Sequence, residues 1–185
     1  MKISSLIGLT IISMSLQSCS GDMNSDDQVT LPKNRSKPTI IIDKDAARFA
    51  MVAASSCLNE IEMGKLAVKK GVDKRVKNFG AMMAKDHAKA NAKLEAIASS
   101  KKISLPDTIT PDEQIAINKL NKNQGRDFDR AYLADMVKDH ENDIKVFNEA
   151  SKQLMDPELR AFAAKNVLIL KRHLDAINMI RGSMK

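Results

Sequence analysis

The sequence predicts an all-α fold, an antiparallel four-helix bundle with one short extra bridging helix. Two observations lead to this prediction. The chain of 185 residues has no Trp, one Tyr and seven Gly, and it is rich in Ala, Lys, Met and Leu, a composition dominated by strong helix formers. Its apolar residues recur at spacings of three and four, which places them on one face of a helix. A chain of this length can bury a substantial core in one domain.

The first two long helices are predicted between residue 43 and about residue 102. Asp43 is a favourable N-cap residue, and the helical period that follows it continues to Lys70, where Gly71 stops the helix. The second helix covers about 73–102, and the segment SLPDTIT after it is a loop.

Three further helices complete the predicted bundle. Residues 110–113, Thr-Pro-Asp-Glu, form a capping box with Pro at the first helical position, so they predict a short helix that Gly125 closes. A long helix follows over about 127–154. Residues 156–157, Asp-Pro, open the last helix, which ends at Gly182. Short turns join the long helices in pairs, and the short helix bridges the two pairs.

The first eighteen residues are predicted to be a lipoprotein signal peptide. Lys2 supplies a positive charge, and the apolar stretch from Ile3 to Met14 is shorter than the roughly 20 residues that a membrane-spanning helix needs. Residues 16–19, Leu-Gln-Ser-Cys, resemble a bacterial lipobox, which implies cleavage before Cys19 and lipidation of that residue. Two or more acyl chains would anchor the protein stably. The alternative is an ordinary signal peptide with an incidental cysteine.

Residues 19–42 are predicted to be a flexible tether between the lipidated Cys19 and a bundle domain at 43–182. The tether is rich in Ser, Asp, Asn, Pro and Lys, a composition that does not bury enough apolar surface to fold. With Cys19 lipidated, Cys57 has no partner for an intramolecular disulfide. A helical cysteine of this kind is most often a small buried apolar residue.

The three histidines of the chain are predicted to share one layer of the bundle. The phrases MAKDH at 83–87 and MVKDH at 136–140 place His87 and His140 on the apolar stripes of two helices, and His173 and Glu60 lie on the apolar stripes of the other two. If the four helices alternate in direction, both tight turns lie at the same end. At 1.5 Å per residue, the four residues then fall within about two turns of the same depth.

This layer has two interpretations. It is a metal site in the bundle core, with Glu60, His87, His140 and His173 as ligands. Alternatively, the carboxylate and the imidazoles form a hydrogen-bonded network that satisfies their buried polar atoms without a metal. No catalytic residue is predicted.

The donor set narrows the choice of metal. Met83 and Met136 each precede a histidine by one helical turn and are secondary ligand candidates, because thioether and imidazole together suit copper. Imidazole also suits zinc and iron. A di-iron bundle needs Glu-x-x-His on two helices, and Ala84 and Val137 stand where those glutamates would be. The sequence does not decide whether a cofactor is bound; if the layer is a metal site, its ion is a transition metal, copper, zinc or iron, outside the usual di-iron chemistry.

The formal net charge of +7 suits an anionic partner. Nucleic acid is excluded, because one Tyr and no Trp provide no stacking platform for single strands and the signal peptide directs the chain to the envelope. Lys85, Lys89 and Lys93 form a ridge at i,i+4 spacing. The ridge is either a solvated helix face or a contact with anionic lipid or another envelope component. No protein partner can be named from the sequence.

Several stretches, in order, resemble the domain of unknown function 4142, a ferritin-like group of bacterial envelope proteins often labelled outer-membrane proteins. They include VKNFGAMMAKDHAKANAKLEAIA, GRDFDRAYLADMVKDH and DPELRAFAAKNVLILKRHL. The resemblance covers about 43–180 and implies a ferritin-like four-helix bundle behind a signal peptide. The family's recurring polar positions, which add Glu62, Asp86 and Asp139 as secondary site candidates, fall here on Glu60, Glu62, Asp86, His87, Asp129, Asp139, His140 and His173.

The sequence therefore predicts a lipoprotein of the bacterial outer membrane that faces the periplasm or the cell surface. Its bundle is expected to be non-catalytic, with a buried Glu/His cluster that binds a transition metal. A structural or partner-binding envelope protein with no metal is the alternative.

Overall fold

The computed structural model describes residues 43–184, which form five α-helices and no strand. The predicted all-α fold is confirmed, and each predicted helix is present. Gly125 begins the fourth helix instead of closing the third, and its φ of 56° marks the change of direction between them. The helices are α1 (Lys44–Lys70), α2 (Lys74–Ser100), α3 (Pro111–Lys122), α4 (Gly125–Gln153) and α5 (Pro157–Ser183).

Side-chain caps mark the starts of four of these helices. Asp73 caps α2 by accepting one backbone N–H, and the other three caps were predicted from the sequence. Asp43 and Asp156 each accept two backbone N–H groups from the first turn of the helix that follows. At α3 the capping box is complete, since the Thr110 hydroxyl accepts the Glu113 N–H at 3.2 Å and the Glu113 carboxylate accepts the Thr110 N–H at 2.6 Å. The sequence predicted these three starts correctly.

The two tight turns lie at opposite ends of the bundle, so the condition of alternating directions, on which the depth estimate from the sequence was based, does not hold. At one end, Asp129 near the start of α4 accepts backbone N–H groups of the α1–α2 turn, that of Asp73 at 2.8 Å. At the other end, Lys101 just after α2 pairs with Asp156 in the α4–α5 turn at 2.7 Å. Helices α2 and α4 therefore run in the same direction, because the connection that contains α3 crosses the length of the bundle and carries the chain back to the end with the α1–α2 turn.

The bundle is nevertheless antiparallel between neighbours. Helix α1 packs against α2 and α4, and α5 packs against α4 and α2, while α3 lies beside α1 and α4. Two apolar clusters fill the two ends. One is built around Phe49, Phe147 and Phe162, and the other around Phe79 and Tyr132. The four polar residues predicted for the site lie between these two clusters.

Helices α1 and α2 approach each other closely at Gly64 and Gly80. A Cβ at Gly64 would lie 2.6 Å from the Gly80 carbonyl oxygen and 3.0 Å from the Ala84 nitrogen. We expect Gly64→Ala to lower the free energy of unfolding by about 1–3 kcal/mol, because backbone atoms would have to move apart. Urea denaturation of the full-length protein measures this. Gly182→Ala, where a Cβ meets nothing within 4 Å, is the control; an equal loss in both variants would contradict the close approach.

The predicted signal peptide at 1–18 and the tether at 19–42, with Cys19, lie outside the described residues and stay predictions. Among residues 43–184, no helix combines the length and the apolar character needed to cross a bilayer.

Candidate metal centre

Glu60, His87, His140 and His173 meet in one layer at the middle of the bundle, one from each long helix. They expose 0%, 5%, 0% and 4% of their surface, respectively. Each lies on the face of its helix that packs against the other three, as the apolar stripes of the sequence indicated. The structure thus brings all four primary candidates together.

The three imidazole rings form a nearly equilateral triangle. The ring centroids of His87 and His140 are 5.9 Å apart, and each lies 5.5 Å from that of His173. One nitrogen from each ring can be chosen so that all three lie within 4.8 Å of one another. To bind a common ion with bonds of about 2.0–2.1 Å, these nitrogen atoms would have to move closer together.

The outer contacts of two histidines fix which ring nitrogen carries the hydrogen. The Met136 carbonyl oxygen lies 2.9 Å from His140 Nδ1, and an Asp86 carboxylate oxygen lies 3.1 Å from His173 Nε2. Both oxygens accept hydrogen bonds, so these nitrogens donate and each neutral ring keeps its lone pair on the other nitrogen. The two remaining nitrogens, His140 Nε2 and His173 Nδ1, face each other at 3.4 Å. The interior of the layer therefore presents lone pairs to lone pairs.

Glu60 lies against the triangle with both of its carboxylate oxygens. One oxygen is 2.7 Å from His87 Nδ1 and the other is 3.1 Å from His140 Nδ1. Neither contact has the alignment of a hydrogen bond, so both Glu60 oxygens and both His87 nitrogens lack a hydrogen-bond partner among the described residues. Buried polar atoms without partners are rare and costly. A cation bound here would take one nitrogen of His87 and an oxygen of Glu60 as ligands.

Burial shifts the pKa values of these groups toward their neutral forms. It raises the pKa of Glu60 to about 7, an effect that His140 opposes and Asp139 increases. It lowers the pKa of His87 to about 4 and also lowers the pKa values of His140 and His173. The histidines are therefore neutral at neutral pH, and an additional proton does not bridge the two imidazole nitrogens that face each other.

Asp143 belongs to the same layer, and the sequence analysis missed it. It is buried, its carboxylate accepts a hydrogen bond from the Ser56 hydroxyl, and burial raises its pKa to about 7, with the Glu60 carboxylate adding to the rise. The sequence contains an indication of this position, because Asp143 follows His140 by three residues and so lies on the same face of α4.

The secondary candidates separate into three groups. Asp86 contacts His173 and so orients a candidate ligand from the neighbouring helix. Asp139 is half-buried and faces a groove between α3 and α4, and Glu62 points outward and pairs with Lys65 at 2.7 Å. Neither belongs with the facing histidines. Both secondary methionines, Met83 and Met136, are fully buried in the apolar cluster that contains Phe79 and Tyr132.

A small cavity adjoins the histidines on the side away from that cluster. Its volume is about 20 Å³, and His87, His173, Asp143 and Cys57 contribute to its wall. This volume accommodates about one water molecule. Burial raises the pKa of the Cys57 thiol far above its ordinary range, which keeps it protonated in the metal-free protein.

Comparison with known proteins supports the resemblance seen in the sequence. The profile of the family described as Domain of unknown function (DUF4142) matches residues 31–180. The chain belongs to this family. The crystal structure of a DUF305 fragment from Deinococcus radiodurans is similar, with a TM-score of 0.67, 11% sequence identity, and coverage of 77% of this chain and 99% of that chain. At this identity the likeness concerns the fold. No curated protein matches the chain.

The donor set of this DUF4142 domain consists of three imidazoles and one carboxylate. Imidazole nitrogen and carboxylate oxygen together suit Zn²⁺, Cu²⁺ and Fe²⁺. The contacts from Met136 and Asp86 supply the outer hydrogen bonds that metal-binding histidines require.

Proposed function

We propose that this DUF4142 domain binds one transition metal ion through Glu60, His87, His140 and His173. The observation that carries the proposal is the pair of imidazole lone pairs facing each other at 3.4 Å, beside a carboxylate without hydrogen-bond partners among the described residues. A cation between these groups would replace the repulsion between facing lone pairs with coordination and would give the Glu60 carboxylate a charged partner.

A hydrogen-bonded network without a metal is the competing explanation. It accounts for His140 and His173, whose outer nitrogens have partners. It does not account for His87, because both of its nitrogens and both Glu60 oxygens remain without partners in the part of the chain that the structure describes. A network is expected to satisfy every member, and a partly satisfied one is costly.

Because the site is enclosed, its geometry favours storage or structural binding of a metal ion over catalysis on a substrate. The proposed ligands are almost completely buried, and the adjoining cavity has room for about one water molecule. By the general order of divalent metal affinities, we expect Cu²⁺ to bind more tightly than Zn²⁺, and Zn²⁺ more tightly than Fe²⁺.

Metal analysis of the full-length protein tests the proposal. After equilibrium dialysis against Zn²⁺ or Cu²⁺ and removal of loosely bound ions, we expect about one ion per chain. His87→Ala/His140→Ala is expected to retain almost none. Glu62→Gln, at an exposed carboxylate on the same helix as Glu60, is the control and is expected to bind as the native protein does. Equal and negligible metal in all three proteins would contradict the proposal.

We also propose that the domain is tethered to the outer membrane through lipid on Cys19 and faces the periplasm or the cell surface. The support is the lipobox-like segment at 16–19 and the polar composition of residues 20–42. Cys19→Ala is expected to move the protein from the membrane fraction to the soluble fraction of the cell envelope, because the acyl chains have no attachment site. Fractionation with immunodetection measures this. Continued recovery with membranes would contradict the anchor.

We further propose that the bundle is of the ferritin-like type. The support is its connectivity, since two helical hairpins joined by one long crossover are the arrangement of ferritin-like bundles. The metal ligands differ from the usual di-iron set, because Ala84 and Val137 replace the two glutamates of the Glu-x-x-His pairs.

A further inference from the structure

A groove of about 680 Å³ runs between α2 and α5 on the surface of the bundle. Four basic side chains line it from two helices. Lys89 and Lys93 come from α2, and Lys165 and Arg172 come from α5. Two lysines of the ridge seen in the sequence, Lys89 and Lys93, thus lie on one wall of a groove, and α5 supplies the opposite wall.

Two acidic residues, Glu158 and Asp86, also border the groove, and the four basic side chains outnumber them. Glu158 is engaged at the far end of the groove, where it pairs with Lys101 at 2.7 Å. Asp86 is engaged at the inner end, where it accepts a hydrogen bond from His173 at 3.1 Å. The groove therefore has an excess of positive charge, and each of its two carboxylates has a contact outside the set of four basic side chains.

The floor of the groove is apolar. Ile97, Phe162 and Ile169 contribute to it, and Ile97 and Phe162 are each only 6% exposed. Small-molecule sites typically occupy about 300–1,000 Å³ and combine an apolar lining with a few polar groups that set orientation. The groove has this volume, and its basic rims lie on both sides of the apolar floor.

We propose that the groove binds a small organic anion, a phosphate or carboxylate that carries an apolar group. The anionic group lies between the basic side chains of α2 and α5, and the apolar group covers Phe162 and its neighbours. A free small molecule fits better than the surface of a bilayer, because the basic residues surround a concave space with an apolar floor. Binding requires no metal ion, so this proposal stands apart from the metal centre.

Calorimetric titration of the full-length protein with phenyl phosphate tests the proposal. Benzyl alcohol serves as the neutral counterpart, and inorganic phosphate as the anion without an apolar group. The test variant is Lys93→Gln/Lys165→Gln, which removes one charge from each wall. The control is Lys145→Gln/Lys152→Gln, which removes the same net charge from exposed lysines of α4 outside the groove.

We expect phenyl phosphate to bind more tightly than either comparison ligand. The groove variant is expected to weaken its binding about tenfold, since each exposed charge contact contributes up to about 1 kcal/mol, and the control is expected to leave it unchanged. Equal weakening in both variants, equal binding of benzyl alcohol or inorganic phosphate, or no binding of phenyl phosphate at millimolar concentration would overturn the proposal. The proposal would also be overturned if the groove variant lost binding to phosphatidylglycerol vesicles but kept its affinity for phenyl phosphate, since the lysines would then form a membrane contact.

Discussion

Zinc is expected to raise the unfolding temperature of the full-length protein by about 10 °C, and His87→Ala/His140→Ala is expected to remove this rise. An ion that binds the folded state at a thousand times its dissociation constant stabilises that state by about 4 kcal/mol, which corresponds to about 10 °C for a chain of this size. The variant lacks two of the four ligands, so zinc would have little preference for its folded state. Thermal unfolding followed by circular dichroism, with and without zinc, measures the shift.

The quantity to compare is the zinc-induced shift in unfolding temperature of each protein. The unfolding temperatures themselves differ, because the two alanines also leave space in the core and lower the stability of the variant. His87→Asn/His140→Asn provides a second variant that retains polar side chains. Met83→Leu/Met136→Leu is the matched control, and it is expected to keep the full shift, since both methionines are core residues. A shift that persists in both histidine variants, or that disappears in the methionine variant, would contradict the proposed ligand set.

Glu60→Gln is expected to have opposite effects on the metal-free and the metal-loaded protein. Without metal, the neutral amide avoids the cost of a buried carboxylate. A pKa raised from 4.5 to about 7 corresponds to a cost of about 3 kcal/mol at pH 8, so the variant is expected to unfold at higher urea concentration than the native protein. With metal, the variant offers a neutral amide oxygen in place of the charged carboxylate and is expected to bind zinc more weakly, by about tenfold or more.

The pH dependence of the Glu60→Gln effect follows from the direction of the pKa shift. Because the folded state holds the Glu60 proton more tightly than the unfolded state, the carboxyl group favours folding below pH 4.5, and this contribution is lost as the pH rises to about 7. The advantage of the variant is therefore expected to grow between pH 4.5 and pH 7 and to remain constant above it. Urea denaturation across this range measures it, with Glu62→Gln as the control. A variant less stable than the native metal-free protein at pH 8 would contradict the account.

The sequence predicted the helices and the composition of the polar layer because both depend on the spacing of residues that are close together in the chain. Helical periodicity placed Glu60 and the three histidines on buried faces, and capping residues marked several helix starts. The direction of α4 was assumed incorrectly, since nothing local to the crossover shows that it traverses the bundle. The four residues nevertheless share one layer, as predicted, because each lies near the middle of its helix. Reversing the direction of a helix therefore changes the depth of such a residue little.

Features that depend on packing between distant segments were not predictable in the same way. The contact of Asp86 with His173 joins residues 87 positions apart in sequence, and the sequence shows only that Asp86 precedes His87. The basic groove needs a second wall from α5, whose position relative to α2 follows from the crossover. Asp143 could have been found from its spacing to His140, but aspartates at helical spacing are common on exposed faces as well.

The zinc-edge X-ray absorption spectrum of the zinc-loaded full-length protein tests most directly whether Glu60, His87, His140 and His173 bind one ion. The predicted spectrum shows a first shell of four nitrogen and oxygen neighbours at about 2.0–2.1 Å, together with the outer-shell scattering of three imidazole rings. A sulfur neighbour at about 2.3 Å, or outer-shell scattering from fewer than two imidazoles, would contradict it.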